Sequence, residues 1–138
     1  MPADFEISLE CNDYRLMGTV AYSDSGSAGA GSIAFYGTTQ PDFGEDPGGT
    51  ALVTVVLAVP SGSVIDHVLQ LVQASSIGDF ISNTGIALWA RWSNSDGGIV
   101  ADGKVTDDAG TGPFKIGGAD GTQLYAGGRM ILGTTAFM

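Results

Sequence analysis

Thr84-Gly85-Ile86-Ala87-Leu88-Trp89-Ala90-Arg91-Trp92-Ser93, then Asn94-Ser95-Asp96-Gly97-Gly98, then Ile99-Val100-Ala101-Asp102-Gly103-Lys104-Val105 decide the fold class. In the first run Ile86, Leu88, Ala90 and Trp92 alternate with Ala87, Trp89, Arg91 and Ser93. That period of two puts the two sets on opposite faces of an extended chain. The Asn-Ser-Asp-Gly-Gly stretch supplies the turn, since Asn and Gly tolerate the positive φ that tight turns demand. Residues 84–105 therefore read as a β-hairpin.

The flanking sequence extends the β pattern. Ile33 to Tyr36 reads as a strand ended by Gly37-Thr38-Thr39-Gln40-Pro41, and Asp42 to Gly49 as a turn region. Ala51 to Val59 is β-branched and almost continuously apolar, as expected of a central strand. Pro60-Ser61-Gly62 reads as the turn after it, and Val64 to Val72 as the next strand. Pro113 to Ile116, Gln123 to Tyr125 and Arg129 to Phe137 supply short strands toward the end. Nearer the start, Phe5, Ile7 and Leu9 alternate with Glu6, Ser8 and Glu10, which predicts a short first strand. Tyr14, Leu16, Met17, Val20 and Ala21 then recur at helical spacing behind Asn12 or Asp13, so one short helix is expected over roughly 13–22. Ser23 to Ser32 reads as a loop. The fold class expected is all-β: a single β-sandwich or partly closed barrel with one short N-terminal helix, one domain over 1–138.

Composition narrows the function. With 138 residues the chain has room for one core. Twenty-two glycines without a collagen period fit many tight turns. Five Lys and Arg against fifteen Asp and Glu leave a net charge of −10, which repels nucleic acid and anionic membrane surfaces. The single Cys11 cannot form an internal disulfide, which fits a reducing compartment. Acidic residues stand where an export signal needs a basic start, so none is expected. The longest apolar run, Ala51 to Val59, is about half of the roughly 20 residues that a membrane helix requires.

No catalytic, cofactor-binding or metal-binding residues are assigned. His67 follows Asp66, and neighbours on a strand point to opposite faces, so Asp66 cannot orient the ring as a catalytic triad requires. Cys11 has Arg15 as its only basic neighbour and reads as a small, partly buried residue at a strand end. Asp107-Asp108 and the Asp42, Glu45, Asp46 group lack calcium-loop spacing and read as solvated loops. Gly26 to Ser32 lacks the Gly-Lys-Ser/Thr ending of a phosphate loop.

Binding by aromatics is the remaining signal. Trp89 and Trp92 must lie on opposite faces of one strand, and a two-layer fold buries only one of them in its own core, so the other is either partly exposed as an interface anchor or covered by a neighbour in ordinary packing. Alternation assigns Trp92 to the core with Ile86 and Leu88, leaving Trp89 with Ala87 and Arg91 on a partner face. Trp and Arg are the residue types enriched at binding hot spots. The interface candidates are thus Trp89 and Arg91, joined by the apolar terminal residues Phe137 and Met138.

Four segments together resemble a known family. They are Ile33-Ala34-Phe35-Tyr36-Gly37-Thr38-Thr39-Gln40-Pro41, Ala51 to Leu57, Thr84 to Trp92, and Asp96 to Val105. Residues 12–105 thereby resemble small structural proteins of tailed bacteriophages, in which a short helix precedes a Tyr-x-Gly strand and a Thr-Gly-x-x-x-Trp strand leads to an Asp-Gly-x-Val turn. Asp107 to Phe114 departs from the polar Gly-Ser-Gly-Ala-Asp-Leu continuation common in relatives. The resemblance implies a non-enzymatic virion protein without active-site residues or cofactors, made in the host cytoplasm. A capsid decoration or cement subunit is expected, a homo-oligomer partnering the major capsid protein or other virion proteins. A tail or fibre component, a carbohydrate-binding adhesion module and a hydrolase remain alternatives.

Overall fold

The computed structural model describes residues 5–118 and 120–137. Met138, one of the interface candidates, lies outside them. The chain is mostly β with one short helix, and its main sheet of seven strands is nearly closed. The helix is α1 (Leu9–Ser23), and the strands of the main sheet are β1 (Ser32–Tyr36), β2 (Val53–Ile65), β3 (Val68–Gln73), β6 (Trp89–Ser93), β7 (Ile99–Asp107), β8 (Phe114–Ile116) and β11 (Ala136–Phe137). Their order is β11-β3-β2-β1-β6-β7-β8. Two side ribbons complete the set: β4 (Asp79–Phe80) pairs with β10 (Arg129–Met130), and β5 (Gly85–Ile86) pairs with β9 (Gln123–Leu124).

Closure comes from the segment that leads into β11. Leu132 bridges Ile116 of β8, the amide of Gly133 donates to the Lys115 carbonyl at 2.8 Å, and the amide of Leu71 in β3 donates to the Thr135 carbonyl at 3.0 Å. One run of chain thus joins the two open edges, and an edge that is paired cannot recruit another strand. Of the two architectures expected, the strand order takes the partly closed form. Its interior holds Ile33, Phe35, Val53, Val55, Leu57, Leu69 and Trp92, the inward half of each alternating strand.

Several sequence expectations are corrected. Phe5 to Leu9 is not a strand: Phe5 and Leu9 are exposed, Ser8 accepts from the Cys11 amide at 3.0 Å as an N-cap, and the helix starts at Leu9. A serine hydroxyl that satisfies a first-turn donor outweighs a short alternation with no partner strand. Cys11 accordingly sits exposed in the first helical turn, not half-buried at a strand end.

The turn at Pro60-Ser61-Gly62 is also displaced. β2 runs through those residues as an irregularity in its pairing with β3, between Leu57 and Gly62. Gly62 faces inward opposite Leu71, and a Cβ there would meet the Gln70 carbonyl oxygen at 2.5 Å, so the glycine permits close strand approach. The reversal falls at Asp66 (φ 51°) and His67 (φ 67°), a two-residue turn between paired Ile65 and Val68. Val64 to Val72 therefore holds the end of β2, the Asp66-His67 turn and most of β3, and is not one strand.

Thr84 to Trp92 is likewise broken in two. β5 turns aside to pair with β9, Ala87 is buried, and Ile86 and Leu88 are exposed. The alternation slips as the chain passes from the ribbon into the main sheet, so Ile86 and Leu88 do not share the core face with Trp92. The 94–98 turn is as expected: Asn94 Oδ1 accepts from the amides of Asp96 and Gly98, and Gly97 takes φ 86°.

Candidate functional site

The hairpin strand β6 carries both tryptophans, and both are buried. Trp92, 1% exposed, points into the sheet interior. Its Nε1 donates to the buried Ser23 Oγ at the end of α1 at 2.8 Å, and its ring stacks on Phe137 at 5.8 Å between centroids. Phe137 meets Phe114 edge-on at 5.8 Å. Phe137 is therefore half-buried packing against the core, not a projecting anchor.

Trp89 lies on the opposite face at 0% exposure. Of the two arrangements expected for the second tryptophan, exposed to a partner or covered by a neighbour, the structure has the covered one, and the cover is the segment between β1 and β2. Residues 37–50 fold back over the sheet: Trp89 Nε1 donates to Thr38 Oγ1 at 3.1 Å, and that hydroxyl donates to the Pro47 carbonyl at 2.7 Å. Tyr36 stacks on the indole at 4.7 Å between centroids, and the Arg91 guanidinium sits 5.2 Å from the ring centroid.

Arg91 is held as firmly as the indole. It binds Asp102 through two bonds, Nε to Oδ1 at 2.8 Å and Nη2 to Oδ2 at 3.0 Å, and donates from Nη2 to the Glu45 carbonyl at 2.8 Å. The Asp102 side chain is 2% exposed and also accepts from the Gly44 amide at 3.2 Å. The hydrogen bond to Asp102 raises the Arg91 pKa above its ordinary value, and burial, which lowers it, does not cancel the effect. A raised cation keeps its contribution to stability at every pH below the unfolded value and loses it only as pH climbs through the folded one. The pair thus imposes no Arg91 titration at neutral pH. Trp89, Arg91 and Asp102 form a closed internal assembly.

The remaining chemical candidates are placed separately. His67 Nδ1 lies 2.9 Å from Asp13 Oδ2 at the hairpin tip, so its carboxylate partner comes from α1 and not from Asp66. Asp107 Oδ1 accepts from the Ala109 amide and Asp46 Oδ1 from the Gly48 amide, each within its own loop, while Asp108 Oδ1 accepts from the Thr134 amide in the segment leading into β11. Among the described residues no three His, Cys, Asp or Glu gather as a metal site. In the glycine-rich loop, the Ser27 amide donates to Asp96 Oδ2 and the Ala28 amide to Ser95 Oγ, which ties the loop to the hairpin turn.

The surface feature that sequence reading missed is a groove of about 420 Å³ between α1 and β2, lined by Met17, Val20, Ala21, Pro60, Gly62, Ser63 and Val64. Two contacts flank it. Asp24 Oδ2 accepts from the Ser61 amide at 3.2 Å, and Asp13 meets His67. The helical spacing of Met17, Val20 and Ala21 predicts the helix, yet nothing local says that β2 leaves a gap beside it. A smaller recess of about 230 Å³, of mixed polar and apolar lining, lies near Ile116, Gln123, Tyr125, Arg129 and Ile131. Set against known proteins, the chain matches no family model, no curated protein and no solved structure. No helix among the described residues is long and apolar enough to cross a membrane.

Proposed function

We propose that the chain is a non-enzymatic structural subunit of a tailed-bacteriophage virion, acting as a capsid decoration or cement protein that docks as an oligomer on the major capsid protein. The reading rests on the resemblance over residues 12–105. The observation that carries it is the exterior: Tyr14, Met17, Val56, Val59, Val72 and Phe80 stay exposed on a chain with only 14% charged residues. Val56 and Val72 both face outward from the neighbouring strands β2 and β3. Apolar side chains kept at the surface in this way mark interaction sites more than solvent-facing ones. In addition, the four resembling segments supply β1, β2, β6 and β7, which lie side by side as β2-β1-β6-β7, a single structural block. The carbohydrate-binding alternative is weakened, since it needs an exposed tryptophan and both are buried.

Electron microscopy of purified particles, with the chain labelled, tests the reading. Density repeated over the capsid shell is the expected result. Label confined to the tail would move the chain to the tail or fibre alternative, and its absence from purified particles would overturn the virion reading. A purified sample that cleaved peptidoglycan or capsule polysaccharide, and lost that activity in His67→Ala, would overturn the non-enzymatic half.

A further inference from the structure

The chain holds the pairs Asp96-Gly97, Asp102-Gly103 and Asp120-Gly121. An Asp-Gly pair can react with itself, because glycine has no Cβ to keep its amide nitrogen away from the carboxyl carbon of the residue before it. By sequence these pairs are alike, and the fold makes them different. The Asp102 carboxylate is 2% exposed and takes two bonds from Arg91 and one from the Gly44 amide, while Gly103 is paired with Ala90 inside the main sheet. Asp96 Oδ1 accepts from the Ser27 hydroxyl at 2.7 Å and Oδ2 from the Ser27 amide at 3.1 Å, and the Gly97 amide donates to the Asn94 carbonyl at 3.1 Å. At both places the carboxyl group and the nitrogen that would attack it are tied down. Asp120, by contrast, is exposed on the segment between β8 and β9, and Gly121 takes φ 62°. Among the described residues no hydrogen bond holds the Asp120 carboxylate or the Gly121 amide.

We propose that Asp120-Gly121 is the site at which the folded chain forms isoaspartate. The Gly121 nitrogen attacks Cγ of the protonated Asp120 carboxyl; a C–N bond forms, the C–OH bond breaks, and the hydroxyl leaves with the amide proton as water. The product is a cyclic succinimide. Water then adds back at one of its two carbonyls. Breaking the bond from the Gly121 nitrogen to Cγ restores aspartate, whereas breaking the bond to the Asp120 carbonyl carbon leaves the main chain running through Cγ. The water lost is regained, and no oxidant or cofactor takes part. Asp120 and Gly121 line the same recess as Gln123, Tyr125 and Arg129, so the isomer adds one carbon to the main chain at the edge of that recess and leaves the seven-stranded sheet as it was. The site does not rest on the virion reading, since it follows from the three pairs and what holds them.

The test ages the full chain in warm neutral buffer, natively and in urea. Methyl transfer from labelled S-adenosylmethionine by an isoaspartyl methyltransferase counts the isomer, and peptide mass spectrometry with electron-transfer fragmentation locates it. In the native chain about tenfold more isomer is expected at Asp120 than at Asp96 or Asp102, because those two must first release charge-assisted hydrogen bonds. In urea, where those bonds are gone, comparable amounts are expected at all three. Asp120→Glu, whose ring would be one atom larger and closes far more slowly, is expected to remove most of the label from the native chain while its thermal midpoint stays unchanged. Ser27→Ala, which takes the hydroxyl from Asp96 Oδ1, is expected to raise the isomer at Asp96 about threefold. Native isomer at Asp96 or Asp102 equal to that at Asp120, or none at Asp120 when the urea-treated chain forms it there, would overturn the proposal. So would a yield in urea that already favours Asp120 tenfold, since the flanking sequence and not the fold would then select the site, and so would an unchanged yield at Asp96 in Ser27→Ala, since hydrogen bonding would then not be what protects it.

Discussion

The two faces of β6 bury a tryptophan each, by different means. Beneath Trp92 lies the interior of the nearly closed sheet, where the indole stacks on Phe137 within the cluster of Ile33, Phe35 and Val55 and the Ser23 hydroxyl answers its N–H. Over Trp89 lies a loop, held by the Arg91–Asp102 pair, the Glu45 carbonyl and the Thr38 hydroxyl. Apolar burial needs only volume and shape, whereas polar burial needs every donor matched to an acceptor. The inner face should therefore depend most on the volume of its ring, and the outer face most on the buried Arg91–Asp102 pair that holds its loop.

The largest effect expected is from Trp92→Ala, which removes the centre of the interior. It should cost roughly 3–5 kcal/mol of folding free energy in denaturant titration, the range for deleting a large buried aromatic. A cost below about 1 kcal/mol would show that the interior does not depend on that ring.

Asp102→Ala comes next. Removing one partner of a buried pair strands the other, and a loss of roughly 3 kcal/mol is expected. Because the loop is tied to this pair, proteolysis within residues 38–50 should also rise in Asp102→Ala while the interior strands stay protected from hydrogen exchange. Replacing both partners, as Arg91→Met with Asp102→Leu, should recover most of the stability, since no charge is then left buried. If the double variant is as unstable as the single one, the loop is held by shape and not by the pair.

The indole N–H groups give the smallest and sharpest contrast. Ser23→Ala leaves the Trp92 donor without a partner in a fully buried site and should cost about 2 kcal/mol. Thr38→Val does the same to Trp89 where the site is only part-buried, and about 1 kcal/mol is expected because water can reach the freed group. Equal thermal shifts in the two variants would mean that the loop seals Trp89 as tightly as the sheet seals Trp92.

How far the sequence went can be read from particular residues. The alternation of Ala90 and Trp92 with Trp89 and Arg91, the Asn94 to Gly98 turn and the helical spacing around Leu16 all depend on neighbours within a few positions. Such local periods survive in any fold that uses them, so the hairpin, the mostly β character and the single helix were legible. The helix start was missed by four residues because Ser8 as an N-cap competed with an equally good strand pattern over the same residues. The turn was placed at Pro60-Ser61-Gly62 because those residues favour turns, while the structure spends Gly62 on close strand approach and forces Asp66 and His67 into positive φ.

The candidate site was less legible than the fold. Sequence alone determined that Trp89 and Trp92 point in opposite directions, because side chains on a strand must alternate. Whether the outward one meets solvent depends on what else folds over it. Only the tertiary structure decided that residues 37–50 cover Trp89 and that Asp102, eleven residues from Arg91, sits beside it in the next strand. The acids of that loop looked like solvated charge, yet the backbone at Gly44 and Glu45 is what grips the pair. The groove beside α1 was equally out of reach: a gap is a relation between two surfaces, Met17 to Ala21 on one side and Pro60 to Val64 on the other, and no local period in either encodes the distance between them.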